Sequence, residues 1–264
     1  MARSTFYYHM GRLGKTDGYD EHRRRIKEIY RESHGRYGYR RITLQMNAEG
    51  CHINYKTVRK LMTQLGIRCL IRKVRYRSYK GSVGDIADNV INRDFSADRP
   101  YKKLATDVTQ INVKDEKCFL SPIQDMFNGE IVSYQISARP DLNLVLDMLK
   151  KGLKVIGNHD WDVVLHSDQG WQYQHQSYQK ALADHHITSS MSRKGNCLDN
   201  AMMENFFGLM KSELLYAESF ESMEQFKQKL KEYIEWYNNK RIKLRLKGMS
   251  PVQDRTQYLQ NKHV

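Results

Sequence analysis

No run of apolar residues in this 264-residue chain approaches the roughly 18 needed to cross a membrane. The first residues, Met1-Ala2-Arg3-Ser4-Thr5, contain no apolar segment of the kind a secretory signal requires, so secretion is not expected. Cysteine is scarce and scattered, at Cys51, Cys69, Cys118 and Cys197, with no C-x-x-C pair. That spacing argues against a zinc site and makes reduced, cytosolic thiols the expectation. With those classes set aside, a composition 40% hydrophobic and 28% charged describes a soluble globular chain, long enough for two domains.

Negative charge is the other shortage. The formal net charge is +14, which calls for a polyanionic partner. The excess is uneven: residues 1–100 hold 22 lysines and arginines against 10 acids, and residues 101–264 hold 22 against 20. Lys240 to Lys247 form a second basic cluster, which leaves the stretch before it mildly acidic. A basic arm and a basic patch around an acidic centre fit a DNA binder whose centre holds metal ions. A merely basic protein would spread its charge more evenly.

Residues 1–20 read as a lead-in. Spacing predicts a helix from Asp20 to Ser33, with Asp20 as N-cap and Ile26, Ile29 and Tyr30 inward. A second follows from Tyr39 to Ala48, with Ile42, Leu44 and Met46 apolar. Asn54 caps a third, which runs to Leu65 before Gly66. Val58, Leu61, Met62 and Leu65 give it an apolar face and leave Tyr55, Lys56, Arg59, Lys60 and Gln64 exposed. Two short helices with a tight connection, the second opening on polar and basic residues, is the layout of a helix-turn-helix that reads the major groove. Three-helix units of other function share that layout; the local charge favours DNA. Arg68 to Lys80 interleaves basic residues with tyrosine, as a segment tracking a phosphate backbone or a solvated linker would. The resulting division is a helical domain over 21–67, a basic linker over 68–98 and a second domain over 99–264.

In that second domain Leu104 to Val113 alternates as a strand does, with Asp107 in its middle, where a carboxylate is unexpected. Phe119 to Phe127 and Ile131 to Ser137 flank the hairpin signal Asn128-Gly129. A helix from Asp141 to Ile156 leads to a short strand, Asp162 to Ser167, which ends at Asp168. A helix from Gln174 to His185, the strand Ile187 to Ser190 and a further helix follow. An antiparallel meander continued by α/β units gives one mixed sheet with helices on its faces. A last helix spans Ser222 to Asn239, Arg241 to Lys247 alternates like an edge strand or extended arm, and the tail after Gln260 is expected to be disordered.

The stretch from Ser192 to Lys211 begins as a basic loop and becomes the further helix. At 100° per residue Asn200, Glu204, Gly208, Lys211 and Leu215 fall within about 40° of one line, while Met202, Met203, Phe206, Leu209 and Met210 lie elsewhere. Gly208 costs a helix about 1 kcal/mol relative to Ala, which makes sense if something bulky approaches that stripe. Each acid has an ordinary reading: a capped turn for Asp168, a solvated face for Glu204. Together, Asp107, Asp168 and Glu204 form three candidate ligands with no built-in cation, and divalent metal would relieve their repulsion. Hard oxygen donors favour Mg²⁺ or Mn²⁺, and two ions about 3.5–4 Å apart suit phosphodiester displacement.

These residues carry a resemblance. Thirty-five residues separate Asp168 from Glu204, and the set resembles the D,D(35)E core of the retroviral integrase superfamily. Thr106-Asp107-Val108-Thr109, His166-Ser167-Asp168-Gln169-Gly170 and Ser192 through Ala201 leading to Glu204 resemble more closely the second-frame (OrfB) product of IS3-family insertion-sequence transposases. Lys211, then Tyr233, Tyr237-Asn238, Arg241 and Ser250-Pro251, resemble that family's later motifs. One departure is Leu104, where the family often has Trp; it touches packing, not catalysis.

The resemblance implies an α/β chain with an RNase H-like mixed sheet preceded by an all-α helix-turn-helix domain. It implies a DNA transposase cutting and joining element ends with metal held by Asp107, Asp168 and Glu204. Lys211 is expected to hold the DNA end. Asn200 is expected to orient Glu204 or touch DNA, and the loop with Ser192, Arg193 and Lys194 to grip the backbone. Further expected DNA contacts are Tyr55, Lys56, Arg59, Lys60, Arg241, Lys243 and Arg245. His166 and Asp125 are read as structural or supporting. The expected partners are double-stranded element ends and target DNA, a second copy of the chain on DNA, and an upstream-frame (OrfA) product, in a bacterial, cytoplasmic, nucleoid-associated setting. A regulator with a silent core and a general RNase H-type nuclease are the rival readings.

Overall fold

The computed structural model of the chain describes residues 3–4, 7, 18–69, 86–157, 160–193 and 197–262. It divides into two compact units, Met1–Leu70 and Ile71–Val264. No helix of the described residues is long and apolar enough to cross a membrane.

The first unit holds α1 (Asp20–Glu32), α2 (Tyr39–Ala48) and α3 (Tyr55–Gln64). Ile26, Ile29, Ile42, Met46, Val58 and Leu61 are buried between them. Asp20 is the first helical residue and not the cap; its carboxylate takes Arg23 at 2.9 Å. Leu44, predicted to face inward, is half-buried. Thr43 is buried in its place because its hydroxyl satisfies the Tyr39 carbonyl at 2.7 Å. Asn54 caps α3 by accepting the Lys56 N–H at 2.8 Å.

The second unit is built on a mixed sheet of β1 (Lys103–Thr106), β2 (Thr109–Val113), β3 (Glu116–Asp125), β4 (Ile131–Ser137), β5 (Val163–Ser167) and β6 (Ile187–Met191). The predicted strand across Leu104–Val113 is two pieces, and Asp107 lies between them instead of in mid-strand. Both pieces pair antiparallel with β3 in one register, Thr106 with Ile123 and Thr109 with Leu120, which sets Asp107 opposite Pro122. Pro122 has no N–H to donate, and there the ladder lapses. The opposite edge of β3 takes β4 antiparallel, while β1 takes β5 and β5 takes β6 in parallel. The sheet therefore runs β4, β3, β1/β2, β5, β6, with β3 alone reversed, as in RNase H-like folds.

Helices cover both faces. Leu104, Ile123 and Leu165 pack with Val145 and Leu149 of α4 (Leu142–Ile156) and with Tyr173 and Tyr178 of α5 (Trp171–Gln174) and α6 (Gln176–Ala183). The predicted single helix over 174–185 is these two, divided at His175, whose Nδ1 accepts the Ser177 N–H at 3.1 Å. On the other face Ala105, Ile111 and Leu120 pack with Phe206 of α7 (Ala201–Met210) and with Phe226 and Tyr237 of α8 (Met223–Asn239). Residues placed in the linker by sequence join this unit: Val90 N–H donates to Ser190 Oγ at 3.0 Å.

The carboxyl-terminal segment differs from the expected arm. Leu244–Leu246 form one 3₁₀ turn, and Pro251–Lys262 form α9, with Pro251 at its start where its missing N–H costs nothing. Arg241 is buried, with its Nε and Nη2 on Glu213 at 2.9 and 2.6 Å, and Tyr233 hydroxyl donates to the same carboxylate at 3.0 Å. Lys243 Nζ donates to the carbonyls of Asn128 and Gly129 at 3.1 and 3.0 Å and to Tyr237 hydroxyl at 2.8 Å. The expectation that Arg241 touches DNA is thus corrected, since it is buried on Glu213; Lys243 is half-buried, with its ammonium on these three acceptors. Breaking a buried pair from one side strands the other charge, so Arg241→Ala should cost about 3–5 kcal/mol in urea unfolding, most of it recovered by adding Glu213→Leu.

Asp125 closes the turn before β4, accepting N–H bonds from Tyr101 at 3.0 Å and Phe127 at 2.9 Å. Burial pushes its carboxyl from the ordinary 3.8 up to about 7. The folded value is the higher one. The stability it lends is therefore complete below about pH 4 and lost as pH rises through about 7, by about 1.4 kcal/mol per unit. In an unfolding series from pH 4 to pH 8, Asp125→Asn should flatten that slope.

Candidate active site

The parallel pairing of β1 with β5, Ala105 beside His166, places Asp107 alongside Asp168 when the register is continued past the strand ends. Each carboxylate is steadied by a nearby backbone donor. Asp107 Oδ1 accepts the Val108 N–H at 2.7 Å, and Asp168 Oδ1 accepts the Gly170 N–H at 2.9 Å. A Cβ on Gly170 would stand 2.9 Å from Asp168 Oδ1 and 3.3 Å from the Tyr173 ring, so a larger residue must displace the carboxylate.

The third acid arrives on α7. Met203, Phe206, Phe207 and Met210 bury one side of that helix, and Glu204, Gly208 and Lys211 remain half-buried on another. The start of α7 is fastened to β1: Asn200 Nδ2 donates to the Thr106 carbonyl at 3.2 Å, one residue before Asp107. Asn200 is itself buried. Its amide is a tie between the helix of Glu204 and the strand of Asp107, not a surface contact for DNA.

Four charged groups share one field. Asp107 titrates well above the ordinary carboxylate range, first because it is desolvated, then because Asp168 and Glu204 repel its charge; Lys211 partly offsets this. Desolvation raises Asp168 as well, against the Gly170 N–H. Burial lowers Lys211, against the pull of Asp107. The three acids face one another without being drawn to the spacing that would ligate one ion: among the described residues no group of three His, Cys, Asp or Glu stands so close. The donor set is all carboxylate and lacks thiol or imidazole. That fits a hard divalent cation, whose charge would remove the repulsion that raises Asp107.

Beyond Lys211 the helix opens into a single π turn, Lys211–Leu215, which turns Glu213 inward onto Arg241. Behind Asp168, His166 is buried between Ser190 Oγ at 2.9 Å and Ser192 Oγ at 3.1 Å, and burial lowers its pKa. Arg193 places its guanidinium on Asp199. Lys194 and residues 70–80 lie outside the described residues. Arg245 is exposed.

In the helical unit Tyr55, Lys56, Arg59 and Lys60 are all exposed on α3. Tyr55 stacks on Tyr39 with ring centroids 6.2 Å apart, and Arg59 lies 5.8 Å over the same Tyr39 ring. The acids of this unit are taken by α1, where Arg23, Arg24 and Arg25 pair with Asp20, Glu21, Glu28, Glu32 and Glu49. Among the described residues the bases of α3 make no ion pair, so its positive charge stays uncompensated.

Sequence reasoning missed the groups that position the acids. Asp199 lay in a quoted motif without a role, and its partner Arg93 is 106 residues away. Gly170 was likewise only part of a motif, and Tyr173, under the acid pair, carried no signal.

A sheet of this order, with acids at the ends of neighbouring parallel strands and a third on a helix across them, defines an RNase H-like integrase core. Family models agree: an HTH-like domain matches residues 19–75, and integrase core domains match 97–197 and 204–259. The protein named transposase InsK for insertion sequence element IS150, from Escherichia coli K12, is 51% identical over 97% of this chain and 90% of its own length. The transposase of insertion sequence IS1353 from Shigella flexneri is 37% identical over 97% of this chain but 50% of its own length. A solved HTLV-2 integrase catalytic core in complex with magnesium aligns with TM-score 0.48 and 17% identity over 60% of this chain and 97% of that one. The chain belongs to the IS3 family of insertion-sequence transposases, polynucleotidyl transferases of DNA transposition and integration.

If Gly170 exists to leave room for Asp168, Gly170→Ala should keep its melting temperature within a few degrees and lose most DNA cleavage. Parallel thermal unfolding and cleavage assays on the purified chain check this.

Proposed function

We propose that Asp107, Asp168 and Glu204 are the catalytic carboxylates and that they take up Mg²⁺ or Mn²⁺, two ions during reaction. The observation that carries this reading is the shared field of Asp107, Asp168, Glu204 and Lys211 at the ends of β1 and β5. The metal would supply Lewis-acid polarisation of a phosphodiester. The chain's own groups do the rest. Lys211 holds a phosphate or base of the element end beside the acids, and Gly208, between Glu204 and Lys211, leaves space for the strand. Asn200 keeps Glu204 in reach of Asp107. Water releases a 3′-hydroxyl at the element end, and that hydroxyl attacks a second phosphodiester; no covalent enzyme intermediate is required.

Recognition of the element end is proposed for Tyr55, Lys56, Arg59 and Lys60, supported by the uncompensated charge of α3, with Arg193, Lys194 and Arg245 as backbone contacts. The proposed partners are duplex element ends and target DNA, a second copy of the chain on that DNA, and an upstream-frame product. A relative of about twice this chain's length supports the last of these. The proposed setting is the bacterial cytoplasm, at the nucleoid.

Asp107→Ala, Asp168→Ala and Glu204→Ala should each lower cleavage and strand transfer at element ends by roughly 10³-fold or more, since several kcal/mol of polarisation is lost. Mn²⁺ titration calorimetry on the same variants should show weakened uptake. Full activity in all three would end the assignment.

A further inference from the structure

We infer that Arg93 and Arg193 together form a seat for a DNA phosphate beside the catalytic acids, built on the buried carboxylate of Asp199. Asp199 is fully buried, yet it lies under two half-exposed arginines, 44% and 51% accessible. Its Oδ1 accepts Arg93 Nε at 2.8 Å and Arg193 Nη2 at 2.9 Å. Its Oδ2 accepts Arg193 Nε at 2.9 Å, the Arg193 backbone N–H at 3.0 Å and Asn89 Nδ2 at 3.0 Å. The arginines hold that carboxyl well below its ordinary range, so it stays charged.

Two guanidiniums on one carboxylate leave one net positive charge. A guanidinium offers five N–H donors in a flat fork. Arg93 uses only Nε, and Arg193 uses Nε and one terminal nitrogen. Among the described residues, both terminal nitrogens of Arg93 and Nη1 of Arg193 have no protein partner. Those donors match the charged, bidentate oxygens of a phosphodiester. Because Asp199 fixes both side chains beforehand, little rotamer freedom remains to be lost when DNA arrives.

The place is right for DNA. Asp199 directly precedes Asn200, whose amide is tied to the carbonyl before Asp107. Arg193 follows Ser192, whose N–H donates to Ser167 O at 2.9 Å, next to Asp168. Arg93 comes from the segment ahead of β1, so segments about a hundred residues apart in sequence meet at one point. Both arginines reach solvent while one buried carboxylate holds them, which is what a ligand-bearing seat requires.

This inference rests on the reading of the chain as a DNA transposase. The test is fluorescence anisotropy of the full chain with a labelled terminal inverted repeat and with an unrelated duplex, from 50 to 200 mM salt. A lost phosphate contact should lower the slope of log affinity against log salt by about 0.9. Arg93→Gln should do so equally on both duplexes and weaken binding several-fold, because phosphate contacts carry no sequence information. Arg93→Lys keeps the charge without the fork, so it should hold the slope and still weaken binding. That variant decides the matter if Arg93→Gln does not fold. Slope and affinity unchanged in the folded variants, with wild-type binding intact, overturn the seat alone. Failure of the wild-type chain to bind either duplex overturns the seat and the DNA reading together.

Discussion

Like charges held side by side are the constraint on which this core turns. Parallel pairing of β1 with β5 brings Asp107 alongside Asp168, both half-buried, and α7 adds Glu204 across them. Water would screen three such charges; here it is partly excluded, so Asp107 is driven well above the ordinary carboxylate range. A protein left to maximise stability would not keep this arrangement. It persists because the surrounding polar ties leave the carboxylates nowhere else to go.

Those ties come from several directions. Gly170 supplies an N–H to Asp168 and, lacking a Cβ, the room for it. Asn200 joins the start of α7 to the carbonyl before Asp107, and Asp199 beside it anchors the loop through Arg93 and Arg193. At the far end of α7 a π turn swings Glu213 onto buried Arg241. The helix carrying Glu204 and Lys211 is thereby pinned at both ends, at the sheet and at the carboxyl-terminal segment. Rigid support of this kind is what the metal ligation proposed for these acids would require.

Charge is apportioned between two tasks. In the helical unit the arginines of α1 pair with acids of that helix and with Glu49, and α3 keeps Lys56, Arg59 and Lys60 uncompensated. In the core unit the basic run from Lys240 to Lys247 reads like a DNA arm, but Arg241 and Lys243 are consumed by Glu213, Tyr237 and two carbonyls of the turn at Asn128. Net positive charge is thus a poor guide to which side chains reach a polyanion. Burial decides, and burial depends on partners remote in the chain.

By itself the sequence determined the broad succession of helices and strands, the helix cap at Asn54, and the three acids with their spacing. These signals are local: a periodicity, a capping side chain, or a motif whose residues are contiguous. Only the tertiary structure decided that the strand around Asp107 is broken opposite Pro122, that Arg241 is buried on Glu213, and that the tail is a helix. It alone decided that Asn200 ties a helix to a strand and that Asp199 gathers two arginines. The physical reason is the same in each case. A carboxylate, amide or guanidinium has many partners within reach of its chemistry, and which one it meets is set by how separate segments pack, some of them about a hundred residues apart.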